Sequence, residues 1–394
     1  VKRALAALVG IGVGAASLGA CGGAPIPLGT YDEAYDAPRG RTREGRLPIR
    51  WTKRIAPEDE GPYLPIERSV PALDARADRI YVGSSAGALW ALSGAGTEIW
   101  MYQAGGAIGS QPLVDPDRDE VYVASDDGRL HALVASTGEV RWHAEVGGAV
   151  GRPPVASDDA IYIITDADVV TAFDRSTGEA LWRYRREAPE GFYVTEHAGL
   201  ALTERQLITG FTDGVVVALD PRDGAVLWER DTTADLRTTS DTIRFTDVDT
   251  TPLVIGDTVY VASFAGGLYA LERSSGSVRW LREELTGITG LAEAPGGLVI
   301  ASSGDLGVMA LRATDGERVW TSRIGRGSPT VPRVVGDVVI VGESEGGLLT
   351  LSLGRGTELG RIEAGHGFAA PAEFSEGLGG VVSNSGTLFV FRLL

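Results

Sequence analysis

The chain has 394 residues, 54 of them glycine, with 43% hydrophobic and 23% charged residues and a formal net charge of −17. That composition belongs to a soluble globular protein too long for one simple core, so several domains or an array of repeats are expected. The acidic balance opposes binding to nucleic acid phosphates, no basic stripe interrupts it, and a single cysteine excludes a disulfide framework.

At the N-terminus, Lys2 and Arg3 precede an apolar stretch from Ala4 to about Leu18 that is short and rich in Gly and Ala for a membrane span. It runs into Leu18-Gly19-Ala20-Cys21, which resembles the lipobox of bacterial lipoproteins. The resemblance implies that residues 1–20 are a signal peptide, with cleavage before Cys21 and lipid added to its sulfur and new N-terminus. Two or more acyl chains anchor a protein stably. Gly22 follows where an aspartate would suggest inner-membrane retention, so lipoprotein sorting rules imply the periplasmic face of an outer membrane. Residues 21–46, rich in Pro, Gly, Asp and Arg without a period, read as a flexible tether.

From residue 47 the chain repeats itself. VYVASDDGRLHALVASTGEVRW (121–142), IYIITDADVVTAFDRSTGEALW (161–182) and VYVASFAGGLYALERSSGSVRW (259–280) are three copies of one pattern. Each is an alternating apolar strand, an Asp/Gly turn, a second strand, a Gly-bearing turn and a short strand ending in Trp. Proline-bearing segments such as SQPLV (110–114), RPPVA (152–156) and TTPLV (250–254) precede the copies and read as innermost strands. Trp100, Trp142, Trp182, Trp228, Trp280 and Trp320 recur at spacings of 42, 40, 46, 52 and 40 residues. A unit of four antiparallel strands at this period is a propeller blade. A seventh copy at 339–360 has Leu359 near the Trp position, and an eighth stops at Leu394 before its Trp strand. LPIRWTKRI (47–55) carries Trp51 and supplies the missing strand. The expected fold is therefore all-β: an eight-bladed propeller over residues 47–394, its last blade closed by the N-terminal strand. Trp90, off the period, is expected to pack in the core.

The pattern Ala-Leu, then Thr/Asp-Gly and Trp, resembles the PQQ-type, or quinoprotein-like, propeller repeat. That fold hosts quinone-dependent dehydrogenases, sensors and scaffolds. The dehydrogenases are much longer and hold a calcium-bound cofactor, and many have adjacent cysteines beside it. This chain has no second cysteine and no recognisable base beside a calcium site. Its four histidines, His131, His143, His197 and His366, show no ligand spacing. No phosphate loop or nucleophile elbow appears. No enzyme activity, metal or cofactor is expected.

The repeat makes insertions legible. Trp100 to Tyr122 is 22 residues, and the corresponding interval after Trp142, Trp280 and Trp320 is 20. Trp182 to Ile208 is 26 and Trp228 to Tyr260 is 32, so the excess lies in the connections between blades 3 and 4 and between blades 4 and 5. Equivalent connections emerge on one face of a propeller, and long ordered loops on a rigid scaffold carry binding. The first contains Phe192 and Tyr193; the second ends in RFTDVDTTP (244–252). The pair Asp247 and Asp249 does not suit an EF-hand, because Pro252 stands where that loop needs glycine.

The segment Asp247-Val-Asp249-Thr-Thr-Pro252 resembles a segment of the BamB family, lipoprotein propellers of the outer-membrane β-barrel assembly (Bam) machinery. The lipobox, the eight-blade count, the chain length and the N-terminal closing strand are similar as well. The resemblance implies docking of these two connections on the periplasmic POTRA domains of a BamA-like barrel protein. Asp247 and Asp249 fall on acidic docking positions, and Phe192 and Val194 on an apolar pair. Thr195 stands where the family has arginine; Arg244 is a nearby candidate for that charge. The role implied by the resemblance is a non-catalytic, lipid-anchored scaffold that assists barrel insertion and offers surface to unfolded clients. A cell-envelope sensor or binding propeller with another partner is the alternative, and a quinoprotein dehydrogenase a third.

Overall fold

The structure, a computed structural model, describes residues 47–56, 66–187, 198–235, 247–263 and 266–393. The expected signal peptide, Cys21 and the tether lie outside the described residues. What is described folds into eight four-stranded antiparallel sheets, each running from a short inner strand to an outer one. Blades 1 to 7 occupy residues 72–103, 113–145, 155–185, 201–231, 253–282, 288–322 and 333–363. In blade 8 the strands Glu373–Ser375, Leu378–Val382 and Thr387–Arg392 are completed by Ile49–Arg54, which pairs antiparallel with Thr387–Arg392. The inner strands of blades 8 and 1 meet, so the ring is closed as expected. The proline-bearing segments are where the inner strands start: Leu113–Asp115, Val155–Ala156 and Leu253–Ile255 each begin directly after Pro. Proline cannot donate to a ladder, so it sits at the strand's entrance rather than within it.

The sequence signature has a physical basis at the seams. In every blade but the seventh, the Trp of the outer strand lies over the following blade and donates its indole N–H to a carbonyl there. Trp100 reaches Ala135 O at 3.0 Å, Trp142 Arg175 O at 3.0 Å, Trp228 Arg273 O at 2.8 Å and Trp320 Leu353 O at 2.7 Å. In blades 1, 3 and 5 a second-strand tyrosine donates to the same carbonyl as the Trp: Tyr81 to Ala135 O, Tyr162 to Pro221 O and Tyr260 to Ala313 O. The indole also explains the turn glycine. A Cβ on Gly178 (φ +75°) would lie 2.5 Å from the Trp142 ring, and one on Gly356 (φ +68°) 2.4 Å from Trp320. Only glycine gives both the left-handed backbone and the clearance.

Blade 7 corrects one expectation. The residue paired with the central position of the third strand, which is Trp in other blades, is Gly360 and not Leu359. Leu359 is the extra residue of a β-bulge, and the same bulge precedes every closing Trp, at Ile99, Leu181, Leu227 and Val319 among others. These bulged side chains point outward, which accounts for most of the large exposed apolar residues on the outer strands. A bulge bends and twists an edge strand so that it is a poor template for further pairing. Trp90 packs with Ile55, Val82 and Trp51 at the seam between blades 8 and 1, with the Lys53 ammonium 5.4 Å from its ring centre. His131 is buried, its ring between the Tyr102 hydroxyl (3.0 Å) and the Ser125 hydroxyl (2.9 Å), as a structural histidine would be.

Candidate docking rim

Strands alternate in direction, so the outer-to-inner connections between blades share a face with the turns between second and third strands. On that face the two long connections are pinned where they leave and re-enter the ring. The first leaves at Arg186. Its guanidinium bonds Asp213 through Nε at 2.8 Å and meets Glu229 at 3.1 Å, while its backbone N–H donates to Asp168 O at 3.1 Å. Burial works against that charge, but the Tyr184 hydroxyl and Asp213 outweigh it and hold the Arg186 pKa above the ordinary arginine value. Asp168 in turn accepts a hydrogen bond from Thr212, tying the facing turns of blades 3 and 4. The second connection leaves at Thr232, whose hydroxyl donates to Gly214 O at 2.7 Å and whose carbonyl accepts from the buried Tyr269 at 3.0 Å.

They return side by side. Gly199 N donates to Thr251 Oγ1 at 3.1 Å, and Gly199 O accepts from Thr209 at 3.0 Å. A Cβ at Gly199 would lie 2.4 Å from Thr251 Oγ1, so the close approach depends on glycine. Val248 is buried against Gly210, its N–H bonds Phe211 O at 3.2 Å, and it bridges to Ser263 of blade 5. The segment 247–251 is thus wedged between blades 4 and 5. Thr250 is likewise buried, its hydroxyl accepting from Ala262 N at 2.9 Å.

Of the expected site residues, Asp247 is 3% exposed and Asp249 is half-buried. Asp247, Val248 and Thr250 are all buried, so this segment is a wedge and not a strand with one face in solvent. Asp249 is the more accessible of the two carboxylates. Phe192, Val194, Thr195 and Arg244 fall outside the described residues. One contact was not foreseen: Arg152, in the connection between blades 2 and 3, donates from Nη2 to Asp249 O at 3.2 Å. It was hidden in RPPVA, where proline drew attention to the strand. Among the described residues no group of three His, Cys, Asp or Glu side chains is placed to hold a metal ion. An open cavity of about 790 Å³ lies on the opposite face, lined by Asp115, Arg175, Tyr162, Glu204 and Arg222 among others, away from the rim.

Eight four-stranded blades with these repeats define a PQQ-like propeller, and the comparisons narrow the class. A family model described as outer membrane protein assembly factor BamB matches residues 91–322, more than half of the chain. The chain belongs to the BamB family. It is 29% identical over 236 residues to outer membrane protein assembly factor BamB of Shewanella oneidensis, covering 59% of this chain and 58% of that protein. It is 26% identical over 264 residues to the Yersinia pestis protein of the same name, covering 66% of each. The alignments therefore span about three-fifths to two-thirds of these curated relatives. The crystal structure of BamB from Moraxella catarrhalis superposes with a TM-score of 0.72 at 25% identity, covering 88% of this chain and 99% of that one. A quinohemoprotein alcohol dehydrogenase from Comamonas testosteroni superposes with a TM-score of 0.68 at 14% identity, a likeness of fold alone.

Proposed function

We propose that the chain is a non-catalytic scaffold subunit of an outer-membrane β-barrel assembly complex, held by lipid on Cys21 at the periplasmic face. It docks on POTRA domains of a BamA-like barrel protein through the connections between blades 3 and 4 and between blades 4 and 5, with Asp249 and Asp247 on that side. The observation that carries this reading is the shared frame. In a chain of the BamB family, the two departures from the repeat are anchored at Arg186 and Thr232 and return hydrogen-bonded to each other at Gly199 and Thr251. A rigid ring presenting pinned loops is suited to holding a partner without chemistry of its own.

Co-purification tests it. Asp249→Arg, in the full lipidated chain, is expected to reduce recovery of the BamA-like protein severalfold while the melting temperature of the ring stays close to that of the wild type. Asp249 is chosen over Asp247 because a charge reversal at a buried residue threatens folding. Recovery equal to the wild type with Asp249→Arg would remove this surface from the interface.

A further inference from the structure

Arg152 breaks the repeat at a position where size is otherwise restricted. The pairing of first and second strands aligns it with Ser69, Ser110, Ala198, Thr250, Thr289, Thr330 and Ala370, each three residues before the inner-strand residue that pairs with Tyr162 or its equivalent in the second strand. All of these are small, and all but Thr289 are buried. Thr250 and Thr330 show what the position does for the fold: their hydroxyls accept from second-strand N–H groups, Ala262 at 2.9 Å and Gly342 at 2.8 Å. An arginine cannot accept such a bond. It is half-buried instead, and its guanidinium reaches to the carbonyl of Asp249, 97 residues away and two blades on. The fold does not need a long cation here, since alanine fills the same place in blades 4 and 8.

Resting on the docking reading above, we infer that Arg152 is a positioning residue of the rim: it joins the connection between blades 2 and 3 to the other two and fixes Asp249 for the partner. The physical reason is the shape of the segment. Val248 is anchored to Phe211 and Thr250 to Ala262, so Asp249 sits between two residues that the ring holds in place. A guanidinium on that carbonyl holds the peptide plane and hence the direction of the Asp249 side chain. Thr251, two residues on, is held by Gly199 N, so the connections between blades 2 and 3 and between blades 3 and 4 both reach the segment 249–251 of the connection between blades 4 and 5.

The test is a double-mutant cycle on the full chain, with Arg152→Ala, Asp249→Ala and both together, reading affinity for the solubilised BamA-like protein alongside the melting temperature. Arg152→Ala is expected to weaken association roughly tenfold, the change that a charge-assisted hydrogen bond corresponds to. It should leave melting unchanged and add nothing on the Asp249→Ala background. Arg152→Lys, which keeps a cationic donor, should recover part of the loss. If Arg152→Ala binds like the wild type while Asp249→Ala is impaired, the inference falls and the docking reading stands. Multiplying losses in the double variant, or a loss from Arg152→Ala with none from Asp249→Ala, would show that Arg152 acts independently and overturn the positioning role. If neither variant changes association, both the inference and this docking surface fall.

Discussion

Arg175 joins two jobs in one residue. Its carbonyl receives the Trp142 indole, and its guanidinium, only 7% exposed, lies between Asp115 and Glu120 with Nε 2.8 Å from Glu120. Glu120 is also met by Arg141 and accepts from the Tyr122 hydroxyl at 2.7 Å. Burial and the neighbouring Glu120 carboxylate push the Tyr122 pKa up to about 12, so it remains a donor. Removing one partner of a buried pair leaves the other charge desolvated, which costs about 3–5 kcal/mol. Arg175→Met should fall near the lower end, about 3 kcal/mol by chemical denaturation, because Arg141 still reaches Glu120. Arg175→Met with Glu120→Gln should lose less than Arg175→Met alone; an equal or larger loss would mean that packing rather than charge holds the site. His131 makes a pH prediction. Burial lowers its pKa, so the folded ring favours the neutral imidazole. That stabilisation is complete above the unfolded value of about 6.5 and is lost as pH falls through the folded value. His131→Tyr, the residue found at the same repeat position in blade 5 as Tyr269, should flatten the decline in melting temperature between neutral pH and pH about 5.

At the scale of the blade, the unit of cohesion is the Trp of one blade with the glycine and carbonyl of the next. Gly178→Ala adds only a methyl group, yet its Cβ would lie 2.5 Å from the Trp142 ring at a φ of +75°. Strain and overpacking together should destabilise the ring by roughly 2–4 kcal/mol. Gly354→Ala, where nothing lies within 4 Å of the new Cβ, is the control and should be near neutral in the same melts. This seam also shows what the sequence made legible. Large aromatics with one packing role recur at a fixed interval, so the blade count could be read from Trp100 to Trp320. The register of blade 7 could not, because Gly360 has no side chain to mark the place and its bulged neighbour Leu359 looked like the substitute. At the seam between blades 7 and 8, Leu47, Ile362, Phe368, Phe389 and Phe391 form the buried cluster where no Trp staple is present.

The whole ring depends on a strand from the other end of the chain. Beyond the pairing of Ile49–Arg54, Ile55 N donates to Gly386 O at 2.9 Å and Glu67 N to Asn384 O at 3.2 Å, while the Trp51 indole reaches Gly94 O at 2.8 Å. A chain that starts at Ile66 loses the closing strand and its Trp together, leaving an unpaired edge on blade 8. It should melt well below the full chain and aggregate; an unchanged melting curve would contradict closure by this strand. The candidate rim was only partly legible. Loop excess against a strict period marked the two connections, and the family segment drew attention to Asp249. The convergence of Gly199, Thr251 and Arg152 was hidden because it joins residues 52 and 97 positions apart whose types, a glycine and an arginine beside prolines, have ordinary meanings in a propeller. Membership of a barrel-assembly complex is decided by affinity purification of the full lipidated chain from solubilised membranes. A BamA-like barrel protein should be recovered with it in near-stoichiometric amount. Recovery of the chain alone, or with envelope proteins that include no BamA-like protein, would contradict that membership.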